Sequence, residues 1–323
     1  MSTSDSMDLM TDPSTESAAP AEPPSPEPVA PAGPVAPAAL RLRGVTLGYG
    51  DRIIVGRQAP LDLEVPAGRT TAIIGANGCG KSTLLRGITR QLPLASGSLE
   101  VLGRDVEGWH ARSYARTVAL LPQSPVVPEG MTVEQLVDRG RHPHRGWFGA
   151  RTPRDTEAIA RALELTDLVG LAGRDVAELS GGQRQRAWLA LVLAQQTPVV
   201  LLDEPTSYLD LSHQVELLDL VRELPDPTRQ RPRATVVAVL HELNLAARCA
   251  DHIVAMTDGQ VVATGTPAEV LTPANLEAIY GLDADVVPDP LLGHPVVLPR
   301  TAANRTAHPT ARPEVHGPAL HNG

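Results

Sequence analysis

The chain has 323 residues, 42% of them hydrophobic, enough to build one large domain or two small ones around a real core, which excludes a short peptide or a fibre. A net charge of −9 and only 2% aromatic residues argue against nucleic acid as a partner, because such binding uses basic faces and base-stacking rings. The basic residues are 27 arginines and one lysine, Lys81, so position 81 keeps something that arginine does not supply.

Residues 1–39 hold nine prolines, eight alanines, six acids and no base. They lack the large apolar residues that repay ordering, and are expected to be an unpacked arm, either a solvated spacer or a Pro-rich ligand for a partner. This start lacks the basic and hydrophobic regions of a signal peptide, and the longest apolar run, residues 187–194, is too short to cross a membrane. Cys79 and Cys249 stand far apart, which fits a reducing compartment better than a disulfide framework. The expected organisation is the arm, a working domain over 40–290 with a helical subdomain at about 124–185, and a C-terminal extension over 291–323 whose last part is unpacked.

Alternating apolar and polar positions over 40–47 and 61–65, with turns at 49–51 and 66–68, predict an antiparallel β-layer. Three short apolar runs, 71–74, 199–202 and 235–240, suit buried parallel strands, each leading into a helical pattern, so the fold class is α/β. Helical spacing at Val133, Leu136 and Val137, and at Ile159, Leu163, Leu165 and Leu168, predicts an inserted pair of helices with loops around Pro143 and Pro153.

The first of those runs ends in Gly75, Ala76, Asn77, Gly78, Cys79, Gly80, Lys81 and Ser82, the pattern G-x-x-x-x-G-K-[ST], followed by a helical pattern from Thr83. Strand before and helix after are what this phosphate-binding loop requires. Its glycines let the backbone wrap an anion and the helix N-terminus offers free amides. Lys81 brings a compact charge to the β- and γ-phosphates, and Ser82 can ligate Mg²⁺. Cys79 reads as a small loop residue. The second run ends in Asp203 and Glu204, the pair of acids that Mg²⁺-assisted phosphoryl transfer needs: Asp203 for the metal, Glu204 to accept a proton from the attacking water. Two acids before Pro205 could also cap a helix.

Upstream lies Leu179-Ser180-Gly181-Gly182-Gln183, which resembles the LSGGQ signature of ABC transporter ATP-binding subunits, and the similarity runs over about 40–290. The resemblance implies a P-loop NTPase of ABC type: a RecA-like parallel sheet core, an N-terminal antiparallel β-layer and an inserted helical subdomain. It implies a head-to-tail homodimer with ATP and Mg²⁺ at the interface, where Ser180, Gly181, Gly182 and Gln183 of one subunit complete the site begun at Lys81 of the other. It further implies that Tyr49 stacks on adenine, that Gln123 contacts Mg²⁺ and reports nucleotide state to a membrane partner, that the Ser207 to Asp210 segment crosses the interface at the nucleotide, and that His241 bonds the γ-phosphate and orients the water.

The string Gly140-Arg141-His142-Pro143-His144 and the ending over 265–287 resemble ATPases of iron-siderophore importers, while vitamin B12 and haem importers share the general layout. That implies an integral-membrane permease as partner, a periplasmic or lipid-anchored substrate-binding protein indirectly, and a peripheral place on the cytoplasmic face of the membrane. Trp147 and Phe148 are a candidate permease contact or packing within the insertion. A metal reading of His142 and His144 lacks a third ligand. A soluble ABC ATPase acting on ribosomes or DNA breaks is the rival of another class; a single motif set, with only 121 residues between Lys81 and Asp203, speaks against it.

Overall fold

The computed structural model describes residues 37–300 apart from 126–128, 147–148, 208 and 225–233. Residues 1–36 of the expected arm, the end of the C-terminal extension and the Trp147–Phe148 pair lie outside the described residues, while the arm's last two residues, Ala38 and Ala39, are instead the start of β1, with Ala39 buried. In chain order come β1 (Ala38–Tyr49), β2 (Arg52–Val55), β3 (Leu61–Pro66), β4 (Thr70–Gly75), α1 (Lys81–Ile88), β5 (Ser96–Val101), β6 (Arg104–Asp105), α2 (Ala111–Ala115) and β7 (Val118–Leu121). The helical insertion and the second strand group follow as α3 (Val133–Arg139), α4 (Pro153–Leu165), α5 (Gly181–Gln195), β8 (Val199–Asp203), α6 (Leu211–Glu223) and β9 (Thr235–Val239). The chain then runs through α7 (Leu243–Cys249), β10 (His252–Thr257), β11 (Gln260–Gly265), α8 (Pro267–Val270), α9 (Pro273–Tyr280), β12 (Ala284–Pro288) and β13 (Pro295–Pro299).

Alternation in β1 buries Leu40, Leu42, Val45 and Leu47 on one face, and the strand pairs antiparallel with β2, β3 and β5. In β4, β8 and β9 every residue is buried, the mark of strands covered on both faces. They form the middle of a six-stranded sheet in the order β11-β10-β4-β9-β8-β7, parallel except for the antiparallel edge strand β11. One apolar cluster fills the space between this sheet, α1 and the first sheet; a second packs its other face under α5, α6 and α7. A third holds α3 and α4 against α5 through Leu136, Ile159, Ala187 and Ala190. Because the parallel strands share a direction, the ends of β4, β8 and β9 open at one edge, where α/β sheets bind ligands. Among the described residues, no helix is long and apolar enough to cross a membrane.

Three local features correct or extend the sequence reading. The run before Pro122 is an edge strand, β7, parallel to β8 with Leu121 opposite Leu202. Pro153 does not lie in a loop: it is the first residue of α4, where a proline has no amide to waste, and Thr152 and Asp155 close a reciprocal capping box. Pro143 sits in a 3-10 turn, His142–His144. The β12–β13 hairpin spans residue 290 and docks on α7, where the Asn244 amide exchanges two hydrogen bonds with the Val297 backbone, at 2.7 and 3.3 Å.

The Gly140 to His144 string is a packing joint. A Cβ at Gly140 would stand 2.2 Å from the Leu191 carbonyl oxygen, so α3 ends against α5 at backbone distance. Arg141 Nε donates to Asp155 at 2.8 Å with both side chains buried, at 6% and 3% exposure. Arg141 also donates to the Ala194 carbonyl at 2.7 Å, and Asp155 accepts from the Thr152 amide and hydroxyl at 2.9 and 2.8 Å. A buried ion pair costs desolvation, and these further bonds are what make it tolerable. His144 Nε2 donates to the Gln195 carbonyl at 2.7 Å, so its role is structural, and no cluster of three metal-binding side chains exists among the described residues.

Candidate active site

Where β4 ends, Gly75 adopts φ +149, and a Cβ there would lie 2.1 Å from the Met256 carbonyl oxygen of β10. Only glycine permits that approach. Gly80, at φ +107, turns the chain into α1, whose first amides therefore point toward the loop. Lys81 is 5% exposed and its ammonium donates to the Gly75 and Ala76 carbonyls at 2.8 and 3.0 Å, with Cys79 Sγ at 4.0 Å. The slot is sized for a point charge. Burial pushes the Cys79 thiol up, which leaves it a small buried loop residue.

Asn77, Gly78, Gly80, Lys81, Ser82 and Thr83 line one side of an open cleft, and Gln123, Glu204 and His241 line the other. Ser82 Oγ donates to Asp203 Oδ1 at 3.1 Å across the floor, joining the start of α1 to the end of β8. Burial, with Glu204 adding to it and Ser82 opposing, raises the Asp203 carboxyl. A buried carboxylate beside a hydroxyl at the mouth of a phosphate loop is a hard-oxygen pair, fitted to Mg²⁺ completed by water and phosphate oxygens.

Glu204, the residue after β8, adopts the left-handed region, φ +52. Its Oε1 lies 2.5 Å from His241 Nε2, and its Oε2 accepts from Gln123 Nε2 at 2.6 Å and from Ser207 Oγ at 3.2 Å. Burial pushes this carboxyl up, but the bonds from His241, Ser207 and Gln123 together outweigh it and hold the group below its ordinary value. It is therefore an aligned carboxylate at neutral pH, able to accept a proton. The capping alternative for this acid pair is not what the structure uses: the next helix, α6, is capped by Asp210, which accepts from the His213 amide at 3.0 Å.

Tyr49, 46% exposed, is not among the residues that line the cleft; its hydroxyl accepts from Arg86 of α1 at 2.9 Å. Ser180 caps α5: its Oγ accepts from the Gln183 amide at 3.3 Å and its own amide donates to Gln183 Oε1 at 3.1 Å. Ser180, Gly181, Gly182 and Gln183 form a helix start outside the cleft of their own subunit, as does Asp210. The structure thus gathers Lys81, Ser82, Gln123, Glu204 and His241 in the cleft, with Asp203 bonded to Ser82, and leaves the signature residues apart. Sequence reasoning missed Arg86, the contact of Ser207 with Glu204, and Gln185, whose amide donates to the Pro205 carbonyl at 2.9 Å. Gln185 carried a signal: it shares the i, i+4, i+7 face of buried Leu189 and Val192.

The sequence profile of the family described as ABC transporter matches residues 59–207. The chain is 45% identical over 273 residues to the ferric enterobactin transport ATP-binding protein FepC of Escherichia coli K12, covering 84% of this chain and 97% of that one. It is 45% identical over 267 residues to the petrobactin import ATP-binding protein FpuD of Bacillus anthracis, covering 83% and 95%. Among solved structures it resembles a chain of an ABC transporter in an inward-facing conformation, with a TM-score of 0.69 and 27% identity over 83% of this chain and 99% of that chain.

Proposed function

We propose that this chain, which belongs to the ABC transporter family as one of its ATP-binding subunits, hydrolyses ATP to drive import of an iron(III)-siderophore complex. One observation carries the reading: an anion-binding loop with its lysine, a hard-oxygen pair and a hydrogen-bonded carboxylate converge on a single cleft. The siderophore assignment is supported by identity of 45% along nearly the full length of subunits named for ferric enterobactin and petrobactin.

In this reading the loop amides from Ala76 to Thr83 and the N-terminus of α1 wrap the phosphates of ATP, and the Lys81 ammonium leaves its carbonyl partners for the β- and γ-oxygens. The Tyr49 ring, steadied by Arg86, stacks on adenine. Ser82, Asp203 and Gln123 would hold Mg²⁺, which would neutralise charge on the phosphate oxygens. Glu204 accepts a proton from the attacking water, and His241, bonded to Glu204, orients that water against the γ-phosphate. Because one subunit's signature end stands outside its own cleft, a head-to-tail homodimer completes each site, with Ser180, Gly181, Gly182 and Gln183 and the Asp210 turn supplied by the other copy. The dimer acts on an integral-membrane permease from the cytoplasmic face of the membrane, and through it on a periplasmic or lipid-anchored substrate-binding protein.

Phosphate release by the purified chain with MgATP tests the chemistry. Glu204→Gln keeps the shape and removes the base, and is expected to slow turnover by about 10²- to 10⁴-fold; turnover equal to wild type removes Glu204 from that role.

A further inference from the structure

Glu204 holds a left-handed backbone conformation that disfavours a non-glycine residue, so its surroundings must impose it. The loop that follows is held by its carbonyls. The Ser207 amide donates to the Glu204 carbonyl at 3.2 Å, and Gln214 of α6 donates to the Leu209 and Thr206 carbonyls at 3.1 and 3.4 Å. The firmest side-chain anchor comes from α5: Gln185 Nε2 donates to the Pro205 carbonyl, one residue past Glu204, at 2.9 Å.

Gln185 is the one polar residue among the buried positions of α5, which are otherwise Ala187, Leu189, Ala190, Val192 and Ala194. An amide buried among such residues is costly unless its bonds are made, and this one is made to the loop that carries Glu204. α5 begins at the Ser180 cap, five residues before Gln185, or about 8 Å along a rigid helix axis. The end of α5 that meets a nucleotide in the dimer and the loop that carries Glu204 are therefore joined within one subunit by a single rigid element and one hydrogen bond.

We propose that Gln185 is a positioning residue for ATP hydrolysis: through the Pro205 carbonyl it holds Glu204 in its left-handed conformation and ties the alignment of the base to the position of the helix that begins at Ser180. It touches neither nucleotide nor water. The inference rests on the reading of Glu204 as the base that activates water.

Gln185→Met keeps length and burial and deletes the donor. In the purified full chain with MgATP, kcat falls by about 10- to 100-fold, the loss that follows from misplacing a reacting group by about 1 Å, while KM for MgATP stays within about twofold. Because Gln185 acts through Glu204, adding Gln185→Met to Glu204→Gln lowers the residual turnover no further. If Gln185→Met does not fold, as judged by its melting transition, Gln214→Met, which frees the Leu209 and Thr206 carbonyls of the same loop, takes its place in both measurements. A kcat within twofold of wild type, a rise in KM matching the fall in kcat, or an equal loss in the Glu204→Gln background overturns the proposal. A wild-type level of turnover in Glu204→Gln alone instead overturns the reading beneath it.

Discussion

Replacing Lys81 by arginine in a chain that otherwise uses arginine for every cation separates charge from shape. The ammonium occupies a slot 5% exposed, bounded by the Gly75 and Ala76 carbonyls at 2.8 and 3.0 Å and by Cys79 Sγ at 4.0 Å. A planar guanidinium is larger and presents its donors in a fixed fork, so it displaces the loop or swings out of the slot. Overpacking such a site costs about 1–3 kcal/mol in stability. Losing a preorganised donor at the transferring phosphate costs about 2.7–4 kcal/mol in the transition state, roughly 10²- to 10³-fold in kcat. The assay is phosphate release at saturating MgATP, with a melting curve to show that Lys81→Arg is folded. Turnover within twofold of wild type would mean that a positive charge alone suffices at this position, and the explanation for the single lysine would be wrong.

Asp155→Asn leaves Arg141 buried without its carboxylate and is expected to cost about 3–5 kcal/mol in urea unfolding; a loss under about 1 kcal/mol contradicts the role given to this joint. Burial lowers the His144 imidazole below its ordinary value of 6.5, despite the bond to the Gln195 carbonyl, so below that pH the unfolded chain takes up a proton that the folded one refuses. Stability therefore falls as pH drops through 6.5, with His252 contributing in the same direction by its burial, and His144→Gln flattens the dependence of the melting temperature. An unchanged pH profile in that variant refutes the assignment.

Residues whose role is set by their immediate neighbours were readable from the chain. The loop from Gly75 to Ser82 announces itself because glycine, lysine and a strand–helix junction must coincide locally, and Ser180 because a cap and Gln183 lie three residues apart. The largely apolar runs of β4, β8 and β9 predicted three of the six strands of the central sheet for the same reason. What was hidden depends on pairing across long stretches of sequence. β7 and β10 are not among the predicted runs; each shows itself by pairing, β7 with β8 some eighty residues later and β10 with β4. The Gly140 to His144 string was legible only as a likeness; its cause, backbone contact with Leu191 and the Arg141–Asp155 pair, needs three helices in place. Pro153 misled because proline breaks helices in general and opens them at their first position. Within the site, the left-handed turn at Glu204 and the bond from Gln185 to Pro205 could not be read from the chain, since neither that backbone angle nor a partner 20 residues away is set by neighbouring residues.

The central claim, that this cleft's ATP hydrolysis energises entry of ferric siderophores, is tested most directly by uptake of radiolabelled iron, presented as defined siderophore complexes, in cells lacking the chain. Uptake is lost on deletion, restored by the wild-type chain and not restored by Glu204→Gln. Unchanged uptake of every ferric siderophore in the deletion strain, with cobalamin or haem uptake lost in its place, contradicts the account.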